Sequence, residues 1–260
     1  MRTLHQNPVV FITGGAQGLG LGMTRHFLDR GWCVALFDLD GDAGAEAIAA
    51  LPQDRQDRAL FVAGDVCHED DIMRAIAKTV AQFGRLDGLV NNAAIAHPHH
   101  DAIEDLAWQD WQRVINVNLG GVFLATKHAA PHLRKTGGAI VNIASTRAFQ
   151  SETNSEAYAA SKGGIVALTH ALAISFSGAI RVNAIAPGWI EVGDFQKSAN
   201  RISPTHSDTD RNQHPVGRVG TPADIAQAVE FLLDPTRSGF MTGETIRIDG
   251  GMTHKMIYAE

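Results

Sequence analysis

Apolar residues along the chain fall in short, nearly unbroken runs rather than in polar–apolar alternation. The runs are "VVFIT" (9–13), "CVALFD" (33–38), "ALFVA" (59–63), "GLVNN" (88–92), "AIVNIA" (139–144), "IRVNAIA" (180–186) and "ETIRI" (244–248). Rich in β-branched residues and bounded by turn formers, they predict seven strands, and their continuous apolar character predicts strands covered on both faces, as in a parallel sheet. Between them, apolar residues recur at helical spacing over 19–30, 69–83, 108–134, 156–176 and 222–233. Strand and helix alternate throughout. That alternation predicts an α/β doubly wound fold with right-handed crossovers, in which ligands bind outside the carboxyl ends of the strands. The segment from Glu191 to Gly220 breaks the rhythm: it is polar, rich in turn formers and weakly periodic, and is expected to form a lid-like insertion over the site.

Composition narrows the function classes. The 260 residues, 45% of them hydrophobic, suffice for one large α/β domain spanning 1–260. A formal net charge of -6, with no lysine- or arginine-rich run, argues against a nucleic-acid partner. The amino-terminal stretch "MRTLHQNPVVFIT" contains only a five-residue apolar run, too short for a signal-peptide core or a membrane span, so a soluble, cytoplasmic protein is expected. Cys33 and Cys67 lie far apart and form no C-x-x-C, which suggests neither a disulfide framework nor a zinc site but ordinary buried thiols.

Three local patterns carry possible chemistry. "TGGAQGLG" (13–20) follows the first strand and opens the first helix, where exposed N–H groups and the helix dipole can receive a pyrophosphate. Its glycines, Gly14, Gly18 and Gly20, are spaced G-x-x-x-G-x-G rather than G-x-G-x-x-G, so a plain strand-to-helix turn remains the alternative. Asp38 ends the second strand, near where a dinucleotide fold places the acid that accepts adenosine ribose hydroxyls. Asp65, after the third strand, either lies beside the adenine or caps the following helix. In "EAYAASKGG" (156–164), Tyr158 and Lys162 share a helix face one turn apart, which sets an ammonium beside a phenol or is merely an amphipathic helix with a tyrosine at its edge.

Taken in order, "TGGAQGLG", "NNAA", "VNLGG", "VNIAS", "YAASK" and "NAIAPG" resemble the short-chain dehydrogenase/reductase family, over essentially the whole chain from Val9 to Gly251. The resemblance implies a single Rossmann-like domain and NAD(P)-dependent interconversion of a secondary alcohol and a ketone. It also implies a catalytic tetrad, Asn118, Ser145, Tyr158 and Lys162. Tyr158 would act as general acid/base, Ser145 would hydrogen-bond the substrate oxygen, and Asn118 would support a water route for the proton. Lys162 would hold the nicotinamide ribose and lower the phenol pKa. Lowering it by ~2 to 3 units requires roughly 3 to 4 kcal/mol, about what one cation at ~4 Å supplies in an effective dielectric near 20.

By the same resemblance the dinucleotide would contact Gly14, Gln17, Gly18, Leu19 and Gly20, then Asp38, Leu39, Asp65 and Val66. Asn91, Asn92 and Ala93 would line the crevice, and Pro187, Gly188 and Ile190 would pass beside the nicotinamide with Tyr158 and Lys162. NAD is expected over NADP, because Asp38 repels an added phosphate and Gln17 and Leu39 stand where NADP-using members tend to carry a basic residue. Three positions depart from the family pattern. Ala94 closes "NNAA" where glycine is commoner, Ala148 replaces a glycine after Ser145, and Val192 replaces a threonine that engages the carboxamide. Gly163 and Gly164 would admit close approach of a neighbouring backbone or subunit. Two helices apolar around more than one face suggest a homotetramer of the family type.

His97, Arg147, Phe149, Trp189 and Phe195 are the expected substrate contacts by family position, with Arg147 pairing to Glu152 or Glu156 as the alternative. "HPHH" (97–100) invites a metal reading, but Pro98 constrains the backbone and no nearby carboxylate completes a ligand set, so no metal is expected. Two other readings stay open: an NADPH-dependent carbonyl reductase, and a non-catalytic dinucleotide-binding regulatory protein.

Overall fold

The computed structural model describes residues 7–97 and 99–255, so Pro98 lies outside the described residues. All seven apolar runs form strands: β1 (Val9–Thr13), β2 (Cys33–Asp38), β3 (Ala59–Ala63), β4 (Gly88–Asn91), β5 (Ala139–Ile143), β6 (Arg181–Pro187) and β7 (Thr245–Ile248). They make one parallel sheet in the order β3-β2-β1-β4-β5-β6-β7. The chain winds outward from β1 in one direction, then returns to its other side at β4, with Phe11 opposite Ala35 of β2 and Leu89 of β4. Where the winding reverses, successive connections leave in opposite directions and open a crevice. The central strands β1 and β4 are wholly buried, whereas the edges β3 and β7 are largely half-buried. That gradient accounts for the unbroken apolar runs.

Each face of the sheet is covered by helices whose apolar residues repeat at helical spacing. On one face Met23, Phe27 and Leu28 of α1 (Gly18–Asp29) pack with Ile12, Leu36 and Val141. On the other, Ile72, Ile76 and Phe83 pack against Phe11, Phe37 and Leu89. Burying each such side chain contributes ~1.5–3 kcal/mol.

The sequence pattern passes over α2 (Gly41–Ala49), a small-residue helix capped by the Asp40 carboxylate on the Ala43 N–H at 3.0 Å, and over α3 (Gln53–Gln56). The helix carrying Ile72 and Phe83 is α4 (Glu69–Phe83). The expected helix over 108–134 is three pieces: α5 (Trp108–Ile115), a π turn at Asn116–Gly120, and α6 (Gly121–Thr136). π turns widen a helix locally and recur at functional sites. Asn118 sits in this one.

Next comes α7 (Glu156–Ser175), which bears Tyr158 and Lys162. The segment 191–220 carries two short 3₁₀ turns and α8 (Asp208–Asn212), closed by a parallel bridge between Ile190 and Gly220. The described chain ends with α9 (Pro222–Leu233), α10 (Pro235–Ser238), β7 and a 3₁₀ turn at Met252–His254. Among the described residues no helix is long and apolar enough to cross a membrane. Cys33 is buried and Cys67 partly so, and burial pushes both thiols up, Cys67 to about 11.

α9 starts at a capping box of Thr221 and Asp224, with Pro222 in the first turn. A hydrogen bond from Arg218, then burial opposing it and further bonds from Thr221, bring Asp224 down to about 2. Asp224→Ala should lower stability by about 1–2 kcal/mol at neutral pH. Because the folded pKa lies below its ordinary value of 3.8, the contribution is complete above that value and lost as pH falls toward 2. Denaturant unfolding of both proteins should therefore give a gap at pH 7 that narrows in acid; a gap independent of pH would remove the carboxylate from the account.

Candidate active site

A crevice of about 630 Å³ opens at the carboxyl ends of the central strands. β1 ends in Thr13, whose Oγ1 accepts from the Asn92 and Ala93 backbone N–H groups at 3.0 Å each. Asn92 Nδ2 in turn donates to the Thr13 and Gly14 carbonyls, both at 3.0 Å. The glycine loop is thus pinned to the end of β4. Gly14 and Gly18 adopt φ +63 and +56, the left-handed region that side chains disfavour, and a Cβ on Gly14 would lie 2.9 Å from Ala93 Cα. No side chain caps the first turn of α1, where Gln17 is extended, so its N–H groups remain available to an anion in the crevice. These features fit a dinucleotide pyrophosphate. Gly20 departs from expectation: it does not line the crevice, and a Cβ there would fall 1.8 Å from the Gly14 carbonyl oxygen. Its place is packing between helix and loop.

Gln17, Gly18 and Leu19 line the crevice, with Asp38, Leu39, Asp65 and Val66 at its far end. Asp38 is committed to the backbone, accepting from Ala16 N at 3.0 Å and Asp40 N at 3.1 Å, while burial pushes its pKa up. Both expected roles of Asp65 meet in part. It lines the crevice, and its Oδ1 accepts from Cys67 N at 2.8 Å in the turn before α4, although His68 holds the N-cap position. Asn92 and Ala93 also line it, whereas Asn91 does not. Asn91 is buried in the sheet, donating to Asn142 Oδ1 at 2.8 Å, because a strand residue one place earlier points to the opposite face.

Gln17 and Leu39 leave their two places without a cation, but Lys197 of the 191–220 segment brings one beside them. Its Nζ lies 2.7 Å from Asp40 Oδ2, its backbone N–H donates to Gln17 Oε1 at 3.3 Å, and Ser198 donates to Glu46 through both N and Oγ at 2.8 Å. Lys197 and Asp40 are 157 residues apart. No local pattern pairs them; the fold of 191–220 does. Gln196 and Val192 of the same strap line the crevice.

Ser145, Tyr158 and Lys162 converge at the opposite end. Ser145 follows β5 and caps the 3₁₀ turn Thr146–Ala148, its Oγ accepting from Arg147 N at 3.1 Å. Burial raises the Tyr158 pKa, opposed by a hydrogen bond with Ser145 and by the charge of Arg147. Lys162 is buried. Its Nζ donates to the Ile143 carbonyl at 2.8 Å and lies 5.5 Å from the Tyr158 ring centroid, and burial brings it down to about 8. Asn118 is fully buried and lies behind the crevice wall. Its Oδ1 accepts from Ile95 N at 2.8 Å, and its Nδ2 donates to Ser161 Oγ at 3.0 Å and Ile95 O at 3.3 Å, tying the π turn to α7. Behind Lys162, a Cβ on Gly164 would meet Leu119 Cδ2 at 2.8 Å, while Gly163 faces open space. Only Gly164 is explained by close approach within the chain.

The expected substrate contacts separate. Pro187, Gly188, Trp189 and Ile190 line the crevice, and Trp189 stands edge-on to His206 at 5.7 Å. His97 lines a second cavity of about 500 Å³ that shares Ile95, Arg113 and Tyr158 with the first. Arg147 lines neither and pairs with Glu152 at 2.5 Å. Phe149 lies under Arg247, and Phe195 packs on the α1 side of the core under Arg25; neither lines a cavity. Two carboxylates approach the histidine cluster, Glu152 at 3.4 Å from His99 and Glu156 at 2.9 Å from His100. Each serves a different ring, and among the described residues no three such groups are set to hold a metal. Sequence reasoning passed over Gly64, Ile95, Arg113 and Gln196 on the crevice wall.

The family model described as enoyl-(acyl carrier protein) reductase matches residues 14–253. An uncharacterised oxidoreductase of Thermotoga maritima is 44% identical over 257 residues, 98% of this chain and 99% of that protein. The cis-4-hydroxycyclohexanecarboxylate dehydrogenase of Sinomonas cyclohexanicum is 36% identical, covering 94% of this chain and 96% of its own. Among solved structures, the apo SCOR enzyme from Clostridium thermocellum aligns with a TM-score of 0.85 at 37% identity, covering 97% of this chain and 96% of that one. ElxO with NADP bound aligns at 0.84 and 31% identity over 96% and 100% of the two chains. The 3-ketoacyl-(acyl-carrier-protein) reductase from Brucella melitensis complexed with NADH aligns at 0.82 and 33% identity, again over 96% and 100%. With one parallel sheet, a glycine loop at its switch point and relatives matched nearly end to end, the chain belongs to the short-chain dehydrogenase/reductase family of oxidoreductases.

Proposed function

We propose that this chain is an NAD-preferring dehydrogenase that interconverts a secondary alcohol and a ketone, with Tyr158 as general acid/base. The observation that carries the reading is the convergence of Ser145, Tyr158 and Lys162 at one end of a crevice whose other end holds the glycine loop and Asp38. A bound nicotinamide would supply the hydride donor or acceptor. Ser145 Oγ orients the substrate oxygen, and Tyr158 takes the alcohol proton or returns it to the ketone oxygen. Lys162, still largely protonated at neutral pH, stabilises the phenolate that results. Asn118 acts from behind the wall by fixing Ile95 and the second turn of α7.

The test is cofactor reduction across a panel of secondary alcohols, including cyclic alcohols that bear a carboxylate, the class named for the Sinomonas relative. NADH binding without turnover of any alcohol or ketone would favour a non-catalytic dinucleotide-binding protein instead. Lys197 favours a second reading, an NADPH-dependent carbonyl reductase, because it sets a cation beside Gln17 and Asp40. Phe123 and Ile174, 53% and 76% exposed on α6 and α7, support a homotetramer in which these helices pair, which light scattering would test.

Val192→Thr probes the position where the family threonine is missing. A hydroxyl facing the carboxamide should tighten NADH binding by roughly 0.5 to 1.5 kcal/mol. Calorimetry returning an unchanged or weaker Kd would mean that Val192 does not face that group.

A further inference from the structure

The strap is fastened to the glycine loop and to α2 by polar contacts around Lys197. Its backbone N–H donates to Gln17 Oε1 at 3.3 Å, and the next residue, Ser198, donates to Glu46 through N and Oγ, each at 2.8 Å. Gln17 and Gln196 both line the crevice, so the backbone of Lys197 is pinned at the crevice edge. Its ammonium is directed elsewhere. Neither Lys197 nor Asp40 lines the crevice, and the lysine Nζ lies 2.7 Å from Asp40 Oδ2. Asp40 is itself held in place: its Oδ1 caps α2 on the Ala43 N–H at 3.0 Å, its Oδ2 accepts from Gln17 Nε2 at 3.5 Å, and its N–H donates to Asp38 Oδ1 at 3.1 Å. The side chains of the pair are only 25% and 27% exposed.

We propose that Asp40 is a specificity-determining residue: it holds the strap cation Lys197 outside the crevice and so, together with Asp38, keeps NAD ahead of NADP. The inference rests on the reading that this end of the crevice receives the adenosine ribose. A phosphate on that ribose, brought beside Asp38, requires a cation, and lysine meets phosphate through charge-assisted hydrogen bonds. Lys197 is placed to supply them but is already matched by Asp40. Turning to a phosphate would leave the Asp40 carboxylate, mostly buried, without its countercharge, and that penalty is set against the new contact. Arg201 of the same strap offers no substitute, since its guanidinium donates to the Gln196 carbonyl at 3.3 and 3.4 Å. With Asp40 neutral, the flexible four-carbon stem of a lysine anchored at the crevice edge is free to carry its ammonium inward.

Asp40→Asn tests this while keeping the cap, since asparagine caps helices about as well as aspartate, and Ser198 with Glu46 still fastens the strap. Calorimetric titration with NADH and NADPH needs no turnover. Asp40→Asn should bind NADPH at least ~10-fold more tightly than the unmodified protein and NADH within ~3-fold of it. Loss of a negative charge favours a phosphate by itself, so the gain has to depend on Lys197. Lys197→Ala should cost NADPH affinity at least ~10-fold in the Asp40→Asn background but no more than ~3-fold in the otherwise unmodified protein. An equal cost in the two backgrounds would mean that the charges act independently, and it overturns the proposal, as does an unchanged NADPH Kd in Asp40→Asn. Should Asp40→Asn fail to fold, Asp40→Ser, which keeps a capping oxygen, is read by the same signs. Asp38→Ser separates this proposal from the reading beneath it. If Asp38→Ser improves NADPH binding relative to NADH while the Asp40 and Lys197 variants behave additively, the proposal alone fails; if neither Asp38→Ser nor Asp40→Asn changes that ratio, the ribose binds elsewhere and both fail.

Discussion

Tyr158→Phe is expected to lower turnover by at least ~10²-fold while leaving the fold and cofactor binding in place, because under the proposed function it removes the atom that transfers the proton and little else. The ring stays in the same partly buried position on α7, and the groups around it keep their own partners. Lys162 still donates to Ile143 O at 2.8 Å, and Ser145 still accepts from Arg147 N at 3.1 Å. Binding and chemistry should therefore separate. Calorimetry should give an NADH Kd close to that of the unmodified protein, and steady-state rates with the best alcohol should collapse. Near-normal turnover would transfer the acid/base role to another group.

Cofactor choice should show the second large effect. Asp38 lines the crevice, and under the proposed function its carboxylate would face the adenosine ribose and repel an added phosphate. A repulsion of about 3 kcal/mol corresponds to roughly 10²-fold in catalytic efficiency, at 1.4 kcal/mol per factor of ten. Asp38→Ser with Leu39→Arg should shrink or reverse the preference for NAD. Lys197 adds a control that the sequence did not suggest. Its ammonium lies 2.7 Å from Asp40, so Lys197→Ala should widen the ratio by removing a strap cation from this end. Steady-state kinetics with both cofactors decide the matter, and equal use by the unmodified enzyme would overturn the assignment of Asp38.

How much was legible can be judged from particular residues. The seven runs from Val9 to Ile248 became strands because burial on both faces writes itself into sequence as unbroken apolar character. The helix α2 was missed because its buried face is made of alanine and glycine, whose small side chains leave little amphipathic signal, and only the Asp40 cap marked it. The π turn at Asn116–Gly120 was missed because no proline marks it and its asparagines and glycine interrupt the apolar spacing without ending the helix.

Most crevice positions, from Gly14 through Asp38 to Tyr158 and Ile190, were named through the family resemblance that the ordered motifs carry, and they hold because a strand end and the turn after it fix a residue's place in a doubly wound sheet. Roles decided by side-chain direction were not legible. Asn91 and Asn92 are neighbours in the chain, yet one lies inside the sheet and the other holds the glycine loop, because successive residues of a strand point to opposite sides. The same limit applies across long separations. Sequence by itself determined the seven strands and their alternation with helices, products of local periodicity and chain order, and through the family resemblance the Ser145–Tyr158–Lys162 set. Only the tertiary structure brought Lys197 to Asp40, chose Glu152 over Glu156 as the partner of Arg147, and turned the Lys162 ammonium toward Ile143. Those contacts depend on how separate elements pack and on where buried charges find partners, which no periodicity along the chain encodes.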